Sequence, residues 1–213
     1  EKNSLNPLFD RFDLYCFSAV FSWRLPALCE MARIAKGSHG GEVWIGGPAV
    51  SFHDDNARYV FEQTGVKPHI GLDDRFDGQI GAFPMVYFSR GCPAYNKGCG
   101  NCPVPRLEGS TFRLFRDAIP AGMLLDNNLS ALDDDWQDFI IRRYAESWKG
   151  GKVDANSGFE PHSFTDATMR RWEHFPLACW RFGYDALCER PAALEMMARL
   201  RAAGHSGQRV RVY

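Results

Sequence analysis

No apolar run in the sequence approaches the roughly 20 residues that a membrane-crossing helix needs. The first residues lack the basic-then-apolar order of a signal peptide. These two absences lead to the expectation of a soluble, cytoplasmic chain without a membrane partner. An excess of basic charge is missing as well. With 25 Lys and Arg against 26 Asp and Glu, the formal net charge is −1, so the charge balance lends no support to a nucleic-acid partner. Dense, regular cysteine spacing is also absent. The seven cysteines, Cys16, Cys29, Cys92, Cys99, Cys102, Cys179 and Cys188, are an odd number and do not make the framework of a secreted disulfide scaffold, which favours a reducing compartment. No internal repeat or low-complexity tract interrupts the chain.

A chain of 213 residues can bury a sizeable core and form one large domain or two small ones. Phe12 to Val20 is rich in strand formers; Pro26 then opens a helix for which Gly37 is the expected stop. Glu42 to Ile45 reads as a second strand running into Gly46, Gly47 and Pro48. Asp54 is the expected cap of a second helix ending at Gly65. Alternating short strands and amphipathic helices predict a parallel sheet covered by helices. Residues 1–80 are thus expected to form part of a Rossmann-like, doubly wound domain, with 73–83 as its linker.

A second series occupies residues 81–213. Strands are expected at Met85 to Phe88, Met123 to Leu125, Val153 to Ala155, Trp180 to Tyr184 and Val210 to Tyr213. Between them, Trp136, Phe139, Ile140, Tyr144 and Trp148 recur at intervals of three and four, a helical stripe behind the first-turn acids Asp133 to Asp135. Thr165 is the expected cap of a further helix, and Pro191 opens another that stops at Gly204. This strand-helix series predicts a partial (βα) barrel of the TIM type, with reactive groups at the carboxyl ends of the strands. The fifth strand reaches Tyr213, so further strands are expected beyond that residue.

The chemistry concentrates in residues 87–109, YFSRGCPAYNKGCGNCPVPRLEG. Cys92, Cys99 and Cys102 are three thiol ligands among glycines and prolines, in a loop directly after a buried strand. Thiolates suit iron-sulfur clusters and also zinc. A closed zinc site requires a fourth ligand, and the loop contains no histidine. Three thiolates on a cubane cluster leave one iron open to a ligand. The alternative is a metal-stabilised binding module, with zinc completed by a distant His or Cys, or with a cluster that does no chemistry.

SRGCP, CxxC and VPRLEG together resemble the radical S-adenosylmethionine (radical SAM) enzymes. IGGPAV (45–50), LLDNN (124–128), VDANSGFE (153–160) and WRFGYD (180–185) follow in the order expected of members that carry a cobalamin-binding-like domain ahead of the radical barrel. The resemblance implies a [4Fe-4S] cluster on Cys92, Cys99 and Cys102. Its open iron would be chelated by the methionine end of S-adenosylmethionine, and cleavage of that molecule would yield a 5′-deoxyadenosyl radical. It further implies an external electron donor such as flavodoxin or ferredoxin, and a substrate the motifs do not specify. Asn127 and Asn128 match the segment that receives the methionine amine. Glu160, Arg181 and Asp185 are candidates for the ribose, the carboxylate or the substrate. No catalytic side chain is assigned.

The chain departs from the family pattern in two ways. Six residues, Pro93 to Gly98, separate the first two cysteines where three are usual, and Asn101 stands where an aromatic residue usually precedes the last. Cobalamin binding is left open, since no DxHxxG motif is present. Other readings of the same residues are simpler: Asp126 to Asn128 as a polar turn, Arg181 and Asp185 as a structural ion pair, Gly46 and Gly47 as a tight turn, and the scattered histidines as surface or core groups.

Overall fold

The computed structural model of the chain describes residues 12–73, 84–93, 102–184, 186–205 and 207–213. They divide into two compact units, one ending at Asp73 and the other running to Tyr213. Each unit has its own hydrophobic core.

In the first unit, β1 (Leu14–Ser18) lies parallel to β2 (Glu42–Gly46), with Leu14 opposite Glu42 and Ser18 opposite Gly46. Tyr15, Val43 and Ile45 are buried, the alternation of strands with one covered face. The connecting helix α1 (Leu25–Ile34) buries Leu25, Leu28, Cys29 and Ala32, a stripe at helical spacing, and carries Pro26 in its first turn. It does not stop at Gly37. A wider π turn continues over Ala35–His39, and the left-handed residue that ends it is Gly40, with φ of 69°. A glycine within a helix costs only about 1 kcal/mol, whereas the left-handed position after it favours glycine far more strongly. After α2 (Pro48–Ser51), helix α3 (Asp54–Thr64) ends at Gly65 in the left-handed conformation, as expected. Asp54 is not its cap. His53 stands there without a side-chain bond, and Asp54 and Asp55 lie in the first turn, where they face the positive end of the helix dipole.

The second unit runs, in chain order, through β3 (Met85–Val86), β4 (Ser89–Arg90), α4 (Val104–Glu108), β5 (Arg113–Leu114) and β6 (Met123–Leu124). It continues with α5 (Asp134–Ser147), β7 (Asp154–Ala155), α6 (Asp166–Trp172), β8 (Trp180–Phe182), α7 (Arg190–Ala202) and β9 (Val210–Val212). Strands β3, β6 and β7 form a parallel sheet in that order, and β8 pairs in parallel with β9. Parallel bridges from Val153 to Leu177 and from Phe159 to Phe182 connect the two regions. Each parallel strand therefore lies beside the next one in the sequence. The described residues form a mixed α/β fold of small parallel sheets with no closed barrel.

The helix starts follow local chemistry. Asp133 accepts the Trp136 N–H, Thr165 accepts the Thr168 N–H, and Pro191 sits in the first turn of α7. On α5, Trp136, Ile140 and Tyr144 are buried, and so is Gln137. Burial of that amide is tolerated because both ends are bonded: it donates to Leu132 O at 2.7 Å and accepts from the Trp172 indole at 2.8 Å. One pairing went unanticipated. β4 runs antiparallel to β5, with Ser89 opposite Leu114 and Arg90 opposite Arg113; two-residue strands carry no readable periodicity. No helix among the described residues is long and apolar enough to cross a membrane.

Candidate metal centre

The segment leading to Cys92 is held by backbone geometry that only glycine satisfies. Gly91 has φ of 92°, and a Cβ there would come within 2.2 Å of the Thr111 carbonyl oxygen. Beside it, the Cys92 N–H donates to Gly109 O at 3.2 Å. Glycine at 91 lets the strand end press against the chain that follows α4.

Glu108, at the end of α4, gathers three sequence segments onto one carboxylate. Arg90 donates to it from Nε at 2.9 Å and from Nη2 at 2.7 Å, the Gly91 N–H at 3.1 Å, and the Asn127 side-chain amide at 2.6 Å. The Arg90 and Glu108 side chains are only 13% and 10% exposed, so this forked ion pair is largely removed from water. Arg90 also lies over the Tyr87 ring, 4.1 Å from its centroid. SRGC, VPRLEG and LLDNN are thereby clasped at the carboxyl ends of β3 and β6. Cys92 stands two residues after Arg90, and Cys102 two residues ahead of α4, so the clasp lies close in sequence to both cysteines; residues 94–101 lie outside the described residues. Both cysteines are partly buried. Cys99 lies outside the described residues.

Asp126 and Asn128 are buried on either side of Asn127. Asp126 accepts the Phe88 N–H at 2.9 Å and the Ser89 hydroxyl at 2.6 Å. Burial nevertheless pushes its pKa up to about 7, against the lowering effect of those bonds. A folded-state pKa raised above the unfolded value means that the folded protein holds this proton longer. The associated stability is fully present below about pH 4 and is lost as pH rises to about 7. Asp126→Asn is therefore expected to remove this slope. In urea unfolding, its stability relative to the parent chain should rise by up to about 4 kcal/mol between those pH values. A difference independent of pH would overturn the assignment.

Asn128 caps the short 3-10 turn Leu129–Ala131. Its oxygen accepts the Ala131 N–H at 3.1 Å and the Ser130 hydroxyl at 3.0 Å, and its amide nitrogen lies 4.0 Å from Cys92 Sγ. The polar turn is thus present, and it points an amide at Cys92. Asn127 takes the other direction, towards Glu108 and, at 3.4 Å, Gly91 O.

Glu160 and Arg181 have protein partners. The Glu160 carboxylate accepts the backbone N–H groups of His162 at 3.0 Å and Ser163 at 2.9 Å. Its own N–H donates to Ser130 Oγ at 2.9 Å, which ties the end of the β7 segment to the end of β6. Arg181 forks onto Asp154 at 2.6 and 2.8 Å and also donates to the Tyr213 hydroxyl. The partner of Arg181 is therefore on the neighbouring strand β7. Asp185, considered as its ion-pair partner, lies outside the described residues.

The structure thus brings Cys92, Asn127 and Asn128 together and leaves Arg181 engaged with Asp154. Arg90, Glu108 and Asp126 were not singled out as site residues. The signal for two of them was the motif text itself, since an acid in LEG and a base in SRG can meet only through the fold. Among the described residues no group of three or more His, Cys, Asp or Glu side chains is arranged for a metal ion; the three-thiol set includes Cys99 and so extends outside them. As a donor set, three thiols suit an iron-sulfur cluster and also zinc. No protein-family model matches the chain, and no curated protein matches it.

Proposed function

We propose that the second unit binds a [4Fe-4S] cluster through Cys92, Cys99 and Cys102 and acts as a radical SAM enzyme, with a partial TIM-like barrel as its frame. On this reading the first unit is the Rossmann-like, cobalamin-binding-like domain of that group. The observation that carries the proposal is the Glu108 clasp, because it joins the three segments whose sequences resemble the family at the carboxyl ends of two parallel strands.

Cluster and S-adenosylmethionine together would supply one-electron cleavage of a carbon-sulfur bond and hydrogen-atom abstraction from a substrate. The chain's own residues bind and orient. Cys92, Cys99 and Cys102 would hold the cluster and leave one iron to the methionine end of the cofactor. Asn127 commits its amide donors to Glu108 and Gly91, so the group it offers a ligand is its oxygen, suited to an ammonium. Asn128 has its oxygen occupied by the turn it caps, which leaves the amine to Asn127. Glu160, Arg181 and Asp185 remain proposals for the ribose, carboxylate or substrate. Flavodoxin or ferredoxin would deliver the electron.

Anaerobic purification with iron and sulfide reconstitution tests this reading. The expected result is a brown protein with about four irons per chain that releases 5′-deoxyadenosine from S-adenosylmethionine under reduction. Colourless protein with stoichiometric zinc and no cleavage would overturn it in favour of a metal-stabilised binding module.

A further inference from the structure

Resting on the cluster reading above, we infer that Asn128 is a positioning residue that donates a hydrogen bond to the Cys92 sulfur and raises the cluster's reduction potential. Its orientation is set by chemistry rather than by choice of rotamer. The Ala131 backbone N–H, 3.1 Å away, can only donate, so the atom it meets must be the amide oxygen. The Ser130 hydroxyl, at 3.0 Å, holds the same oxygen. The amide nitrogen then occupies the opposite branch, 4.0 Å from Cys92 Sγ. Asn128 is 3% exposed, so little water competes for that N–H, and among the described residues the sulfur is its acceptor.

The contact is long for a neutral thiol. A ligated cysteine is a thiolate, however, and a negative sulfur accepts more strongly. One-electron reduction places further negative charge on the cluster and its sulfurs. A fixed N–H dipole stabilises the reduced form more than the oxidised form, and hydrogen bonds to sulfur are an established lever on such potentials. Asn127 does not share this role, because its amide is given to Glu108. The two adjacent asparagines thus divide the work: Asn127 faces the clasp and Asn128 faces the metal ligand.

The test is the midpoint potential of the reconstituted chain without S-adenosylmethionine, followed by spin-resonance-monitored redox titration. Asn128→Asp keeps the capping oxygen and replaces the donor by a negative oxygen. It should shift the reduction equilibrium towards the oxidised form by about tenfold, or about 59 mV for one electron. Asn128→Ser retains a capping oxygen and lacks the N–H; it should move the equilibrium the same way by about threefold, in line with the loss of one hydrogen bond. Ser130→Ala removes a bond to the Asn128 oxygen but none to sulfur, and should leave the potential in place. If Asn128→Asp fails to hold the cluster, Asn128→Ser decides. Unchanged potentials with full iron content overturn the inference and leave cluster binding intact, as does an equal shift in Ser130→Ala. A parent chain that binds no cluster overturns both.

Discussion

Alanine at Cys92, Cys99 or Cys102 is expected to remove nearly all bound iron, each by itself, whereas alanine at Cys188 leaves the iron content near that of the parent. The asymmetry follows from ligand number and position. Three thiolates are the whole protein contribution to the proposed cluster, so removing one leaves two ligands for four irons. Cys188 is exposed in the short turn Leu187–Glu189, after β8. Cys29 is buried in the first unit's core, where burial pushes its thiol pKa up, so it stays protonated and inert as a ligand. Iron and sulfide analysis together with the visible absorption of the anaerobically reconstituted variants checks the prediction. Equal loss from Cys188→Ala, or full retention in Cys99→Ala, would refute the ligand assignment.

Glu108→Ala is expected to destabilise the second unit by about 3–5 kcal/mol and to lower cluster incorporation with it. The substitution leaves the Arg90 guanidinium, 13% exposed, without its forked partner. It also strips the Gly91 N–H and the Asn127 amide of the same carboxylate. An unpaired buried charge is more costly than the pair is stabilising. The double variant Arg90→Ala/Glu108→Ala should therefore be less destabilised than the two single losses added together, with a coupling of roughly 1–3 kcal/mol. Glu108→Gln keeps the shape and one acceptor oxygen and should fall between the parent and Glu108→Ala. Urea unfolding of the four chains measures this cycle. A loss below about 1 kcal/mol for Glu108→Ala would show that the clasp is incidental.

Much of the local structure was legible because it depends on neighbours in the sequence. Pro26 announces the start of α1, Thr165 the start of α6, and Gly65 the end of α3. The error at Gly37 shows the limit of that information, since two glycines close together both qualify as a stop and only the path of the chain selects Gly40. Asp54 fails as a cap for a related reason: an acid early in a helix is stabilised equally well in the first turn. The antiparallel pair β4 and β5 is too short for any periodic signal.

The site divides along the same line. The three cysteines and the glycines between them stood out from residue type and spacing, because ligand chemistry is a property of side chains; Asn127 and Asn128 stood out only through the resemblance of LLDNN to a family motif. Which polar groups meet was hidden, because Arg90 and Glu108 are 18 residues apart, Asn127 and Glu108 are 19, and Arg181 and Asp154 are 27. By itself, then, the sequence determined the five longer helices α1, α3, α5, α6 and α7 and marked three cysteines as potential metal ligands. Only the tertiary structure decided that Glu108 would clasp Arg90, Gly91 and Asn127, that Asn128 would face Cys92, and that Asp126 would be buried with a raised pKa. Such contacts arise where strand ends converge, and their energies depend on burial and distance that no local pattern encodes.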